Sequence, residues 1–532
     1  MVVLGSDTRS AAAATALPHL GQVLAMNARQ FPSVIGARDL DRAMSFQQWN
    51  ARACRLANAL LGLGLTKRDR VAILAYNCIE WLEIYAALAK AGLVAVPVNF
   101  RLLAPEIQYI IENCDARALI VQDELIDRVE PVRAVLDIPQ RNSIALGKAH
   151  PGYVAYEDLL SRARDSEPDT DVRADDIWAL MYTSGTTGKP KGAIRTHAAS
   201  ALLSVFTDLE MGFGRGDSAL LVMPMCHANS LYFGTAFTYT GASCFVYNMK
   251  SFDPEHLLRT MAQAGATFTS LVPTHYIMML GLPEKTRAQY DVARMRKLLV
   301  SSAPARRDTK LAIMDYFKNA GLFELYGSTE AGWVTMLHPA EQLTKLGSVG
   351  RECIGSRPIR LLDDKGNDVP DGQAGELFSA TPYTFTGYWK LPEKTAEAFN
   401  NGSCSVGDMG RRDEDGFYYL VDRKSNTIIS GGENVYPSEV ENALGASEKV
   451  KEVAVIGVPD AKWGERVHAV VVLHEGAQAT ETEIMEWCRD KLAGYKRPRS
   501  VSFIKDAEMP RTGTGKILHR VLKAQYQEPR QP

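Results

Sequence analysis

Between residues 71 and 121 three short, almost wholly apolar runs are separated by helical stretches, and that rhythm narrows the fold more than any other feature of the chain. Residues 71–76 (VAILAY), 93–98 (LVAVPV) and 118–121 (ALIV) read as strands, with helices at 79–91 and 105–113. Near-continuous apolar strands alternating with helices define a parallel sheet covered on both faces. A helix candidate at 45–63 precedes them, with Trp49, Cys54, Leu56, Ala57 and Leu60 on one side. The rhythm resumes further on, with strands expected at 177–182, 219–223, 243–247, 267–272, 298–301 and 322–325. Helices are expected from His197 and at 254–264 and 307–319. Residues 137–175 read as a polar surface connection.

At 532 residues the chain exceeds one ordinary core, so two or more domains are expected. From 349 to 388 short strands and turn signals suggest a smaller β-rich subdomain. The last hundred or so residues read as a separate α+β unit, with strands at 453–458 and 467–473. Thr480 and Glu483 form a capping box for a helix running to about Ala493. Pro437 falls in the first turn of another helix. The expected fold class is therefore α/β, with the β-rich subdomain attached to the large N-terminal part. The domains are placed at 1–424 and 425–532.

A formal net charge of −2 with no long run of one sign gives no footprint for nucleic acid or an anionic membrane. Eight cysteines without a CxxC pair, and ten scattered histidines, show no zinc spacing. Free thiols in a reducing cytoplasm are expected. No apolar run reaches the roughly 20 residues of a spanning helix. The N-terminus reads as frayed rather than as a signal peptide.

The densest chemistry lies at 182–192, YTSGTTGKPKG. Gly185, Gly188 and Gly192 let the backbone approach a ligand closely. Hydroxyls, free N–H groups and the ammoniums of Lys189 and Lys191 can converge on an anion, and a polyphosphate is the natural guest. The spacing is not that of the GxxxxGK phosphate loop. A flexible linker has a similar composition. The preceding strand, the interleaved lysines and the stiffening Pro190 oppose that reading.

This run resembles the signature of the adenylate-forming superfamily, which holds acyl-CoA synthetases, luciferase and peptide-synthetase adenylation domains. Further motifs follow in the family's order over roughly residues 20 to 525, closest to acid–CoA ligases. The resemblance implies that Thr183, Ser184, Gly185, Thr186, Thr187, Gly188 and Lys191 bind ATP. In 326–330 (YGSTE), it implies that Tyr326 stacks near the adenine, Gly327 belongs to the nucleotide-binding set, Thr329 touches the α-phosphate, and Glu330, with Thr187, holds Mg²⁺. One carboxylate with phosphates and waters suits that hard cation. Asp408 resembles the carboxylate that grips the ribose, and Arg423 the arginine on ribose and phosphate. Lys516, in 510–516 (PRTGTGK), resembles the catalytic lysine. The chain departs from the pattern at Asp422, commonly Gly, and at the hinge position Ser425, commonly Asp or Lys.

On the thiol side, Gly431 and Gly432 resemble the loop lining a pantetheine tunnel. Trp463, Tyr495, Lys496 and Arg497 resemble residues meeting the coenzyme A nucleotide. His227, within MPMCHANSLYF (223–233), resembles the acid-pocket histidine and is taken with the catalytic set. Ser230, Leu231, Thr274, Ser302 and Ala303 complete the pocket candidates, with Ile277 and Met278 as apolar walls. Ser230 replaces a common Gly, and Ser301-Ser302-Ala303-Pro304 replaces Ser-Gly-Gly-Ala-Pro.

The implied reaction is ATP-dependent, Mg²⁺-assisted activation of a carboxylic acid through acyl-AMP to acyl-CoA. A small mobile domain, swinging about Ser425, would serve the two steps in turn. The partners expected are a small-molecule acid, ATP and coenzyme A, with neither nucleic acid nor a membrane span; a homodimer is the assembly considered. A medium- or long-chain fatty acid is expected from the apolar pocket candidates, with an aromatic acid as alternative. A carrier-loading amino-acid adenylation domain is the other rival, but 225–230 offers no Asp for a substrate amine. Against a luciferase-like or non-enzymatic nucleotide binder stand Lys516 and Glu330.

Overall fold

The computed structural model describes residues 17–183, 189–301, 305–430, 433–460, 462–511 and 516–527. By compactness the chain forms two units. One comprises 1–359 and 379–404, the other 360–378 and 405–532.

The first unit is layered helix, sheet, helix, sheet, helix. One sheet has seven strands, in the order Val154–Ala155, Ser143–Leu146, Ala116–Gln122, Arg70–Leu74, Val94–Val98, Ile177–Thr183, Lys191–Thr196. All neighbours run parallel except the last pair. The other sheet has nine strands. Its centre is the parallel run Gly321–Ser328, Lys297–Ser301, Phe268–Leu271, Ser218–Leu221, Ser243–Val246. Antiparallel strands close both its ends.

Helices Phe46–Gly62, Glu80–Ala91, His197–Met211 and Ala228–Thr240 fill the space between the sheets, and one apolar cluster takes in both inner faces. Glu80–Ala91 is buried at every residue, which accounts for its weak amphipathicity in the sequence. The outer faces are covered separately, one by Ala104–Asn113 and Ile126–Arg133, the other by Pro254–Ala264, Pro273–Leu280 and Arg307–Tyr316. Ser45 caps Phe46–Gly62 through a hydrogen bond from the Gln48 N–H, with Gln48 reciprocating.

The stretch expected to be a surface connection contains a fully buried strand, Ser143–Leu146, and a short helix, Tyr156–Ser161. Four residues give too short a pattern to stand out, and pairing with Ala116–Gln122 decides the matter. The helix Ala228–Thr240 was also unforeseen. Aromatic and buried nearly all round, it has no stripe to recognise.

The second unit holds two sheets. Arg360–Leu362, Gly375–Phe378, Asp408–Arg412 and Tyr418–Arg423 form an antiparallel four-stranded sheet, the β-rich part. The long hairpin Val450–Asp460 and Gly464–Leu473 anchors the five-stranded one. Its period-2 burial serves two faces: Val453 and Val455 pack on one side, Ala454, Ile456 and Val458 on the other. The capping box at Thr480 is formed, and its helix runs Glu481–Trp487, shorter than the expected reach. All eight cysteines are buried free thiols. Among the described residues no helix is long and apolar enough to cross a membrane.

Candidate active site

In the first unit two hairpins, one from each large sheet, meet where Thr183 faces Glu330. The first sets Thr183 opposite Lys191. The second joins Gly321–Ser328 to Gly332–Leu337, so Tyr326, Gly327 and Ser328 end a strand and residues 329–331 make the turn. Gly327 is required by crowding: a Cβ there would stand 2.3 Å from the Gly332 carbonyl oxygen. The Ala331 N–H donates to Ser328 Oγ at 2.9 Å and tightens the turn.

Glu330 ties the two hairpins together. Its Oε1 accepts hydrogen bonds from the Thr183 hydroxyl and from the Tyr388 hydroxyl, each at 3.0 Å. Glu330 is buried. The Lys191 ammonium lies 4.0 Å from the centre of the Tyr388 ring. Arg195, wholly buried, donates through Nη1 to the carbonyls of Thr329 (3.4 Å) and Glu330 (3.2 Å). Tyr388 arrives by strand pairing. Ala193 bridges to it, the Ile194 N–H donates to the Gly387 carbonyl, and the Trp389 N–H to that of Gly192. Thr183, Lys191, Thr329 and Glu330 are thus brought together, with Tyr326 on the same hairpin. Tyr388 and Arg195 join them, although neither was singled out in the sequence. Their only signal there was a Thr-Gly-Tyr-Trp run and an arginine within the strand Lys191–Thr196.

Ser184, Gly185, Thr186, Thr187, Gly188, Ser302, Ala303, Gly431 and Gly432 lie outside the described residues. Of the acid-pocket candidates, His227 immediately precedes Ala228–Thr240 and is half-buried. Its Nε2 is 3.4 Å from Asn99 Nδ2. Burial, then the charge of Arg101, lowers its pKa to about 4, so it is neutral near pH 7. Ser230 is buried and its hydroxyl donates to the Met223 carbonyl at 2.6 Å. Leu231 belongs to the core between the sheets. Thr274, Ile277 and Met278 are exposed on Pro273–Leu280.

Within the second unit, Arg423 Nε pairs with Asp408 Oδ1 at 2.6 Å. Lys516 shares their field. Crowding of its ammonium by the chain pulls its pKa below the ordinary lysine value; Arg423 adds to this and Asp408 opposes it. Asp422 accepts from the Arg423 N–H and from the Ser438 N–H, linking Tyr418–Arg423 to the helix Pro437–Gly445. Ser425 is exposed in the turn Lys424–Asn426. Trp463 is covered by the Arg499 guanidinium at 4.0 Å, a partner the sequence did not suggest. Lys496 pairs with Glu439 at 2.7 Å, and Arg497 donates to the Leu492 carbonyl.

Among the described residues no three His, Cys, Asp or Glu gather as a metal cage. The Glu330 carboxylate is the kind of oxygen donor that would suit a hard cation completed by waters and phosphates.

A layered α/β unit with two motif-bearing hairpins, followed by a small α+β unit carrying Lys516 with Arg423 and Asp408, defines an adenylate-forming enzyme. The family model described as AMP-binding enzyme matches residues 24–389, and that described as AMP-binding enzyme C-terminal domain matches 439–516. The chain belongs to this family and stands with the acyl-CoA synthetases and acid–CoA ligases. A feruloyl-CoA synthase of Amycolatopsis sp is 35% identical over 510 residues, 95% of this chain and 99% of the relative. A fatty acid–[acyl-carrier-protein] ligase, ScoC, of Streptomyces coeruleorubidus is 34% identical over 523 residues, 96% of this chain and 97% of the relative. The crystal structure of the anthranilate CoA ligase AuaEII in complex with anthranoyl-AMP superposes with a TM-score of 0.86 at 27% identity, covering 96% of this chain and 98% of that one.

Proposed function

We propose that the protein is an acid–CoA ligase that activates its acid with ATP and passes the acyl group to coenzyme A. In the first step a carboxylate oxygen bonds to the α-phosphorus and pyrophosphate leaves. In the second, the thiol sulfur bonds to the acyl carbon, the acyl–phosphate C–O bond breaks and AMP leaves. The single observation that supports this best is the Thr183–Glu330–Tyr388 cluster beside Lys191, a carboxylate and an ammonium held at two strand tips. Ligands of open α/β sheets lie beyond the carboxyl ends of strands. Mg²⁺ bound by Glu330, and in this reading Thr187, would neutralise phosphate charge. Thr183, Ser184, Gly185, Thr186, Gly188 and Lys191 are assigned to the phosphates, Tyr326 to the adenine, Gly327 to the nucleotide, Thr329 to the α-phosphate, Asp408 and Arg423 to the ribose. Lys516 is assigned to the adenylation step, where two anions must approach. Gly431, Gly432, Trp463, Lys496 and Arg497 are assigned to coenzyme A, and residue 425 to the pivot between domains 1–424 and 425–532.

For the acid, the apolar candidates of the sequence suggest a medium- or long-chain fatty acid; an aromatic acid is supported equally, since the relatives named above fall on both sides. A carrier protein as acceptor is the second reading, favoured by the likeness to ScoC. A panel of carboxylic acids assayed for pyrophosphate release, with and without coenzyme A, tests the proposal. It expects AMP and thioester in equal amounts with at least one acid class. Adenylate that accumulates and never reaches coenzyme A would overturn it.

A further inference from the structure

Three polar side chains gather close to the 326–330 motif, at residues outside the pocket candidates read from the sequence. Asn229 stands in the first turn of Ala228–Thr240, two residues after His227. Its Nδ2 is 2.8 Å from Ser270 Oγ and 3.0 Å from Ser301 Oγ, and the two hydroxyl oxygens are 3.3 Å apart. Ser270 lies near the end of Phe268–Leu271 and Ser301 ends Lys297–Ser301. Ser301 is in register with Leu325, the residue before Tyr326, so the cluster adjoins the 326–330 motif. Both serines are buried, and Asn229 is only half-buried, so the cluster is reached from its side.

A purely structural cluster would close on itself, and this one does not. With Nδ2 toward the serines, one amide hydrogen goes to each hydroxyl oxygen. One serine hydrogen can then serve the other serine. The second has no acceptor in the cluster, and Asn229 Oδ1 receives no hydrogen bond among the described residues. With the amide turned the other way, both serine hydrogens are used and two amide hydrogens are left over. A guest hydroxyl, which both donates and accepts, satisfies either arrangement. An alkyl or unsubstituted aryl group satisfies neither and would leave buried polar groups unpaired.

We propose that the acid carries a hydroxyl group on its ring or chain, read by Asn229, Ser270 and Ser301 as specificity-determining residues. This rests on the acid-ligase reading above. The test compares acids matched in skeleton with and without the hydroxyl, in one aromatic series and one aliphatic series, by kcat/KM for pyrophosphate release. The wild-type enzyme is expected to favour the hydroxy acid about 100-fold or more in the series whose skeleton fits, because sites built to bond a hydroxyl reject its absence strongly. Asn229→Leu and, separately, Ser301→Ala should shrink that ratio at least tenfold, chiefly through a lower kcat/KM for the hydroxy acid. The wild-type comparison stands even where a variant does not fold. Equal use of both members in each series would overturn this inference and leave the ligase reading intact. Activation of no acid at all would remove the ligase reading and this inference with it.

Discussion

Glu330 has little freedom, and its surroundings explain why. Two hydroxyls fix one carboxylate oxygen, and Arg195 holds the backbone carbonyl of the same residue. Tyr388→Phe deletes one of those bonds and adds no bulk. Hydrogen bonds to charged groups contribute about 1.5–3 kcal/mol. The expected outcome is a fivefold or greater rise in the Mg²⁺ concentration needed for half-maximal pyrophosphate exchange, with a small fall in melting temperature. An unchanged Mg²⁺ profile would show that the tyrosine does not position the carboxylate. Of this cluster the sequence revealed Thr183, Lys191, Thr329 and Glu330, because they sit in dense polar motifs. Tyr388 and Arg195 were hidden. Their roles arise from the pairing of 387–389 against 192–194, a contact far apart along the chain with no local signature. The open polarity of Asn229 escaped for the same reason, since it takes two other strands to define it.

Strands and helices with one buried stripe were plainly written in the chain. Pro254–Ala264 has the bounds its periodicity predicts, with Asp253 capping it through the His256 N–H. Elements buried all round, such as Ala228–Thr240, carry no stripe, and four-residue strands such as Ser143–Leu146 are too short to show one. The motif 326–330 illustrates a different limit: a Ser-Thr-Glu run suits a helix start and a hairpin alike, and only the antiparallel return strand decides. Helix ends give a clean test at this scale. Gly212 ends His197–Met211 with φ of +60°, and a Cβ there would meet nothing within 4 Å. Gly212→Ala should therefore cost backbone strain alone, about 1 kcal/mol, read as a lower urea midpoint at unchanged m-value. A loss of 3 kcal/mol or more would mean that the glycine serves packing as well.

Across the whole molecule, burial holds four histidines of the first unit neutral. The pKa values of His19, His227 and His275 fall to about 4 and that of His197 to about 3, in each case chiefly by loss of solvent. The unfolded chain takes up these protons near its ordinary value of about 6.5, before the folded chain can. Their contribution to stability is thus complete above about pH 6.5 and is lost as pH falls toward 4. The melting temperature should drop through that window, less steeply in His275→Gln; an equal slope in the variant would remove His275 from the explanation. The division of labour between the two units is the account's central claim. It is met most directly by splitting the half-reactions in Lys516→Ala. Pyrophosphate exchange should fall by about 10²–10³, while thioester formation from supplied acyl-adenylate continues at near wild-type rate. Exchange left intact with thioester formation abolished would contradict it.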